Sequence, residues 1–191
     1  MPDAEHAPMT EEQLREIVVG ELQELNTPVV LEDYNPEWER LFEREARRIR
    51  SALGERAVVV EHAGSTAVPG LAAKPIVDIV LVVDDSSDER TYVPALEAAG
   101  YMLRIREPEW YEHRMFKGPD TDVNLHVFSR GCVEAERMLL FRDHLRRNED
   151  DRRRYEAAKR ALAARRWKYM QHYADAKSAV VAEIMARATA T

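Results

Sequence analysis

The sequence predicts an α+β fold, a mixed β-sheet flanked by helices with a C-terminal helical segment. Three patterns predict it. Two β-branched apolar runs, Ala57 to Val60 and Pro75 to Val83, bracket a small-residue turn at Gly64-Ser65-Thr66 and read as strands buried on both faces. Tyr101 to Arg106, Tyr111 to Lys117 and Asp122 to Phe128 alternate sides as an antiparallel meander does, with Gly118-Pro119-Asp120 as a turn. Beyond Ser129 the pattern is helical, and strands followed by a run of helices point to α+β layering.

The other elements follow from local signals. Residues 1–9, with Pro2, Pro8 and no apolar period, read as disordered. Thr10 to Glu24 reads as a helix, capped by Thr10 with Gln13 at capping-box spacing and striped by Leu14, Val18, Leu22 and Leu25. Pro28 to Leu31 reads as extended. Asn35-Pro36 opens a helix that Gly54 ends, and Trp38, Leu41, Phe42, Ala46, Ile49 and Leu53 recur along it at core spacing. Asp88 to Ala99 reads as a helix stopped by Gly100. The tail, 133–189, divides into three helices: Val133 to Arg147, Glu149 to Trp167 and Gln171 to Ala188. Residues 1–27 thus form an acidic extension with one helix, and 28–191 a single domain.

Composition narrows the function classes. The 191 residues carry a net charge of −7, and residues 1–27 hold seven acids against one base, so the remainder is close to neutral. That balance argues against a nucleic-acid partner, because like charges repel the phosphate backbone. No apolar run is long enough to span a bilayer, and no secretory signal precedes the fold, so the expected setting is cytoplasmic and away from membranes. The single cysteine, Cys132, fits a reducing compartment and reads as an ordinary small residue at a helix start. From Val133 to Lys168 twelve Lys or Arg face seven acids. Glu149 with Arg153 and Asp150 with Arg154 suggest paired solvent faces, with a subset of arginines left for an anion.

The chemistry concentrates between Val58 and Val83. Gly64 permits positive φ and leaves backbone amides unshielded, while Ser65 and Thr66 add hydroxyls, a combination that can cradle an anion. Asp78 then stands inside PIVDIVLVV, where a charge needs a partner, a strand end or a metal. Two readings stand: a ligand, or an ion pair with Lys74 or an arginine that fixes the sheet. If the later strands pair, His113, Arg114, Asn124 and His126 share one surface, with Arg114 as an anion clamp and His126 as a metal ligand or general base. Arg142, beside Asp143, reads either as helix-surface pairing or as a phosphate contact. Trp38, Trp110, Trp167 and Tyr169 are core anchors before they are base-stacking candidates.

The segments YNPEW (Tyr34 to Trp38), EHAGSTAVPGLAAKPIVDI (Glu61 to Ile79), EHRMFK (Glu112 to Lys117), NLHVF (Asn124 to Phe128) and FRDHLR (Phe141 to Arg146) resemble the GrpB family from about Val30 to Ala182. That family is similar to polymerase-beta-type nucleotidyltransferases. The resemblance implies a nucleotidyltransferase-like fold in which Gly64-Ser65 holds a triphosphate and Asp78 binds Mg²⁺ or Mn²⁺. It also implies a second carboxylate two residues after Asp78, and here that position is Val80. A third would lie near Asn124 or His126. The two-metal centre is therefore incomplete, and Glu61, His62 or His126 are the candidates to complete a single-metal site.

Two functional readings result. One is transfer of a nucleotidyl group from a nucleoside triphosphate to a small acceptor, with Asp78 and His126 catalytic and Gly64, Ser65, Thr66, Lys74, His113, Arg114, Asn124 and Arg142 binding substrate. The other is binding, without transfer, of a nucleotide or another anionic metabolite.

Overall fold

The structure, a computed structural model, describes residues 8–190. Most of the stretch 1–9, read above as disordered, lies outside the described residues. Five strands, β1 (Val59–Ala63), β2 (Val77–Val83), β3 (Met102–Glu107), β4 (His113–Lys117) and β5 (Val123–Ser129), form one sheet in the order β1-β2-β5-β4-β3. β2 and β5 run parallel, and every other pair is antiparallel. The meander β3–β4–β5 is the one its alternation predicts. The helices are α1 (Glu11–Ile17), α2 (Glu37–Leu53), α3 (Val93–Ala98), α4 (Val133–Arg147), α5 (Glu149–Ala163), α6 (Met170–Asp175) and α7 (Ser178–Ala188). None is long and apolar enough to cross a membrane.

The pleat gives the sheet two different faces. On one, Val60, Ile79, Leu81, Val83, Phe116, Leu125 and Val127 pack with Trp38, Ala46, Ile49 and Leu53 of α2 and Leu96 of α3. This is the main core. On the other face α4 covers Ala63, Val80, Val82 and Phe128 through Ala135, Met138 and Leu139. Asp78, Asn124 and His126 share that second face, and their part of it stays partly open. A third cluster joins the loop residues Val68 and Leu71 to Leu145, Tyr155 and Ile184, so α4, α5 and α7 dock on the segment between the Gly64 turn and β2.

Several boundaries differ from the sequence reading. α1 stops at Ile17 rather than Glu24, because the β-branched pair Val18-Val19 meets the edge strand: Val18 bridges Ile105, and the Val19 N–H donates to the Arg104 carbonyl at 2.8 Å. Gly20, at φ 91°, then turns the chain, so Leu22 and Leu25 do not extend the helical stripe. The acidic segment is docked on β3. At its start Met9 donates its N–H to Asp175. The Asp88 to Ala99 region opens with a 3-10 turn, Glu89–Thr91, since Pro94 has no N–H to continue a helix through that point; α3 begins around it. Helix α5 ends at Ala163, where the Trp167 indole caps the Leu162 carbonyl at 2.8 Å. The final helix divides into α6 and α7, and Arg154 pairs with Glu183 rather than Asp150.

One buried charge ties α2 to the sheet. Glu45 is fully buried, accepts from the Tyr101 hydroxyl at 2.6 Å and pairs with Arg44 and Arg48. Burial and this carboxylate together push the Tyr101 phenol far above its usual range. Tyr101→Phe leaves Glu45 short of one donor and should lower unfolding free energy by about 1–3 kcal/mol in urea titrations. An unchanged midpoint would show that the arginines alone satisfy Glu45.

Candidate functional site

Asp78 is the second residue of β2, opposite Ala63 on β1 and Asn124 on β5. Its carboxylate lies directly under the turn that follows β1. A Cβ added to Gly64, which sits at φ 66°, would lie 2.3 Å from Asp78 Oδ2. Glycine is required there twice, for the backbone angle and for the space. Asn124 Nδ2 donates to Asp78 Oδ1 at 2.9 Å, and His126 Nε2 stands 3.6 Å from the same oxygen. Burial would raise the Asp78 carboxyl, but His126, the Asn124 amide and the Lys74 charge outweigh it and hold it below its usual range. Asp78 is therefore ionised.

A chain of polar groups runs on from Asp78 across the open half-face. His126 Nδ1 meets His113 Nε2 at 3.0 Å, and His113 Nδ1 meets Glu107 Oε2 at 2.6 Å. Burial pushes the His113 imidazole down, with Glu107 opposing. A carboxylate only accepts, so the neutral His113 donates from Nδ1 to Glu107 and accepts at Nε2 from His126. That leaves His126 Nε2 directed at Asp78. His113 is wedged between Phe128, stacked at 4.8 Å, and the edge of Trp110 at 5.2 Å. The loop that delivers it is strained: Tyr111 and Glu112 take φ of 54° and 52°, a region non-glycine residues rarely occupy. Glu107 was not singled out in the sequence. The β3–β4 register, which sets Glu107 opposite His113, is what brings it in.

On the other side of Asp78 the C-terminal helices bring cations. Lys74 precedes β2, Lys159 is on α5, and Lys177 lies between α6 and α7. Lys74 and Lys177 flank the Tyr173 ring at 5.4 and 4.8 Å, and Lys159 lies 5.1 Å from the Tyr155 ring. Lys74 donates to the Met170 sulfur, and Lys159 to the Ala72 carbonyl. Burial and the neighbouring cations bring Lys74 down to about 8 and Lys159 to about 7. Burial lowers Lys177 as well, with Asp78 and Asp175 opposing. The Tyr155 phenol, raised to about 12 by burial, has the Ser65 hydroxyl as its partner.

The remaining expected site residues face elsewhere. Arg114 pairs across to Val127 and so points to the α2–α3 face, where it binds Glu89 at 2.6 Å and the carbonyls of Glu112 and His113. It clamps the loop and does not reach the Asp78 face. Thr66 turns inward, bonded to His62 at 3.0 Å and to the Ile76 carbonyl. His62, opposite Ile79, stacks on Phe42 of α2 on the main-core face, so it cannot join Asp78. Arg142 is buried against Glu61, Asp143 and the His62 carbonyl, which fixes α4 to β1 and uses its donors internally. Trp38 is core, while Trp110 and Tyr111 are exposed beside His113. Gly64, Ser65, Lys74, Asp78, His113, Asn124 and His126 do come together.

For metal, the donors are few. Val80 has no exposed surface and lies under α4, so the place of the second carboxylate is filled with apolar packing. Among the described residues no three His, Cys, Asp or Glu side chains group as a metal site. Asp78 and His126 are what this face offers, which does not fit a two-ion centre.

Two measurements check this geometry. Gly64→Ala forces its methyl onto Asp78 and should cost about 1–3 kcal/mol or more, while also abolishing any ligand response at the site; wild-type stability would refute the close approach. For Lys159 the folded state holds the proton less tightly than the unfolded chain, whose lysine titrates near 10.4. The resulting penalty is complete below about pH 7 and disappears as pH rises toward the unfolded value. Lys177, Lys74 and Arg160 press in the same direction, and Glu156 opposes. Relative to the parent, Lys159→Met should therefore melt higher at pH 7 than at pH 10; equal differences at both would count against a strained cation.

The chain matches the family model described as GrpB protein over residues 28–187. It is 62% identical over 184 residues to a UPF0157 protein of Halalkalibacterium halodurans, covering 96% of this chain and 94% of that one. It is also 32% identical over 164 residues to a dephospho-CoA kinase of Mycolicibacterium paratuberculosis, covering 72% of this chain but 40% of that longer protein. Among solved structures, the crystal structure of conserved protein GrpB from Enterococcus faecalis matches with a TM-score of 0.72 at 31% identity, covering 83% of this chain and 96% of that one. The fold, the Gly64–Asp78 geometry and these matches together make the chain a member of the GrpB family.

Proposed function

We propose that this GrpB-family chain binds a nucleoside triphosphate over the Gly64-Ser65 turn, against Asp78 and the partly open half of the sheet. The observation that carries it is the close approach of Gly64 to an ionised Asp78, flanked by Asn124 and His126 on one side and by unpaired lysines on the other. A small-residue turn beside a partly open polar half-face suits phosphate oxygens, and the neighbouring cations offset their charge. The likeness to a protein named dephospho-CoA kinase points toward the same class of ligand.

Nucleotidyl transfer to a small acceptor is the second reading. It is favoured by the Asp78–His126 approach, where one Mg²⁺ or Mn²⁺ would find its two protein donors and would neutralise charge on the phosphates. Val80 counts against the two-ion version of that chemistry.

Thermal melts with each nucleoside triphosphate, with dephospho-CoA, and with or without Mg²⁺ or Mn²⁺ test both readings, with pyrophosphate release followed in parallel. A ligand present at a hundred times its Kd should add about 2.7 kcal/mol. Asp78→Asn should keep a cooperative transition while losing the metal-dependent part of that gain. If no nucleotide or coenzyme stabilises the wild-type protein, the proposal fails.

A further inference from the structure

Five lysines occur in the chain, and two are neutralised: Lys117 by Asp122 and Lys168 by Glu11. The other three, Lys74, Lys159 and Lys177, are the ones gathered by the C-terminal helices. Among the described residues none of these three has a carboxylate within ion-pair distance. Buried or half-buried cations without counter-charge are costly, and three together repel one another. In the same place the Tyr173 hydroxyl is buried, with the residue 1% exposed, and has no hydrogen-bond partner. It lies within electrostatic reach of the Tyr155 phenol, which meets Ser65. Among the described residues the other buried polar side-chain atoms have hydrogen-bond partners, so this one marks a missing acceptor or donor.

We propose that Lys74, Lys159, Lys177 and the Tyr173 hydroxyl form a subsite for the phosphate tail of a polyphosphorylated ligand, next to the Ser65 turn. Three ammonium groups match the charge of two or three linked phosphates, and a phenol O–H supplies one directional donor to a phosphate oxygen. A single carboxylate would leave most of that positive charge uncompensated. The subsite joins two parts of the fold. Lys74 comes from the segment leading into β2, whereas Lys159, Tyr173 and Lys177 come from α5 to α7. A polyphosphate held there crosslinks the C-terminal helices to the sheet and cancels the repulsion that the ligand-free protein carries. The inference deepens the nucleotide reading above, but it requires only the phosphate tail.

The test uses the full chain without divalent metal, at pH 6.5 and low salt, titrated calorimetrically with tripolyphosphate, ATP, dephospho-CoA and inorganic phosphate. Tripolyphosphate and ATP should bind and raise the melting temperature, with inorganic phosphate weaker. Lys159→Met and Lys177→Met should each weaken tripolyphosphate at least tenfold, while Lys117→Met, at a paired surface lysine, should not. Tyr173→Phe removes a hydroxyl that has no partner, so the ligand-free variant should melt no lower than wild type. It should nevertheless bind tripolyphosphate several-fold more weakly. Because Tyr173→Phe is expected to fold, it decides the matter even if a lysine variant does not. No tripolyphosphate binding, or binding indifferent to Tyr173 and to whichever lysine variants fold, overturns the subsite. ATP binding that depends on Asp78 but not on these residues would leave the nucleotide reading standing without it. Tripolyphosphate binding that depends on them, with no response to any nucleotide, would do the reverse.

Discussion

The arrangement of this protein depends on the contact between Gly64 and the Asp78 carboxylate. That contact fixes the end of β1, the turn after it and the start of β2 relative to one another. From the other side Asn124 binds the same carboxylate, so β5 is set in parallel register with β2 at the same level. A charge at the second position of an apolar strand would ordinarily weaken the sheet. Here it is placed where two strands and a turn converge, and its neighbours keep it ionised. The hydrogen bonds that make Asp78 tolerable are also what aim it at the open half-face.

That half-face has two unlike sides. Toward β4 and β3 the groups are paired in sequence, Asp78 to His126 to His113 to Glu107, with the aromatic rings of Phe128 and Trp110 holding the imidazole plane. Toward α5, α6 and α7 the groups are lysines with no carboxylate at ion-pair distance, Glu156 and Asp175 acting on them only from farther away. An apo protein with this distribution holds electrostatic free energy in reserve, because the lysines repel each other and a polyanion would relieve it. The two buried arginines, by contrast, are paired with carboxylates, Arg142 with Glu61 and Arg114 with Glu89. The contrast gives the lysines their meaning.

Much of the fold was legible in the sequence because periodicity and turn chemistry are local. The meander, the Asn35-Pro36 helix start and the Gly64 turn all follow from residues within a few positions of one another. What was not legible depends on long-range partners. Val18-Val19 leaves the helix because an edge strand, 85 residues later in the Val19–Arg104 bond, offers it backbone groups. The sequence placed Arg114 on the same surface as His113, yet adjacent strand residues alternate faces, and it clamps the far side. Glu107 and Lys159 carried no local signal at all. One enters through the β3–β4 register and the other through the docking of α5 on Ala72. Tyr173 could be named only once its hydroxyl was seen to lack a partner.

Val80 gains a sharper meaning from its surroundings. In sequence it is a missing carboxylate. In the fold it belongs to a closed apolar patch with Ala63, Val82, Phe128 and Ala135, and α4 lies over it. Restoring an acid there would bury a charge beneath a helix, so the loss of the second ligand and the seating of α4 are one structural fact. Helix α4 is held in that place by Arg142 on Glu61 and the His62 carbonyl. With the second-ion position closed by packing, charge compensation for a bound phosphate has to come from other groups. The only unneutralised cations among the lysines are those brought by α5, the α6–α7 junction and the segment before β2. The same C-terminal docking that closes one route to phosphate chemistry therefore supplies the groups for another.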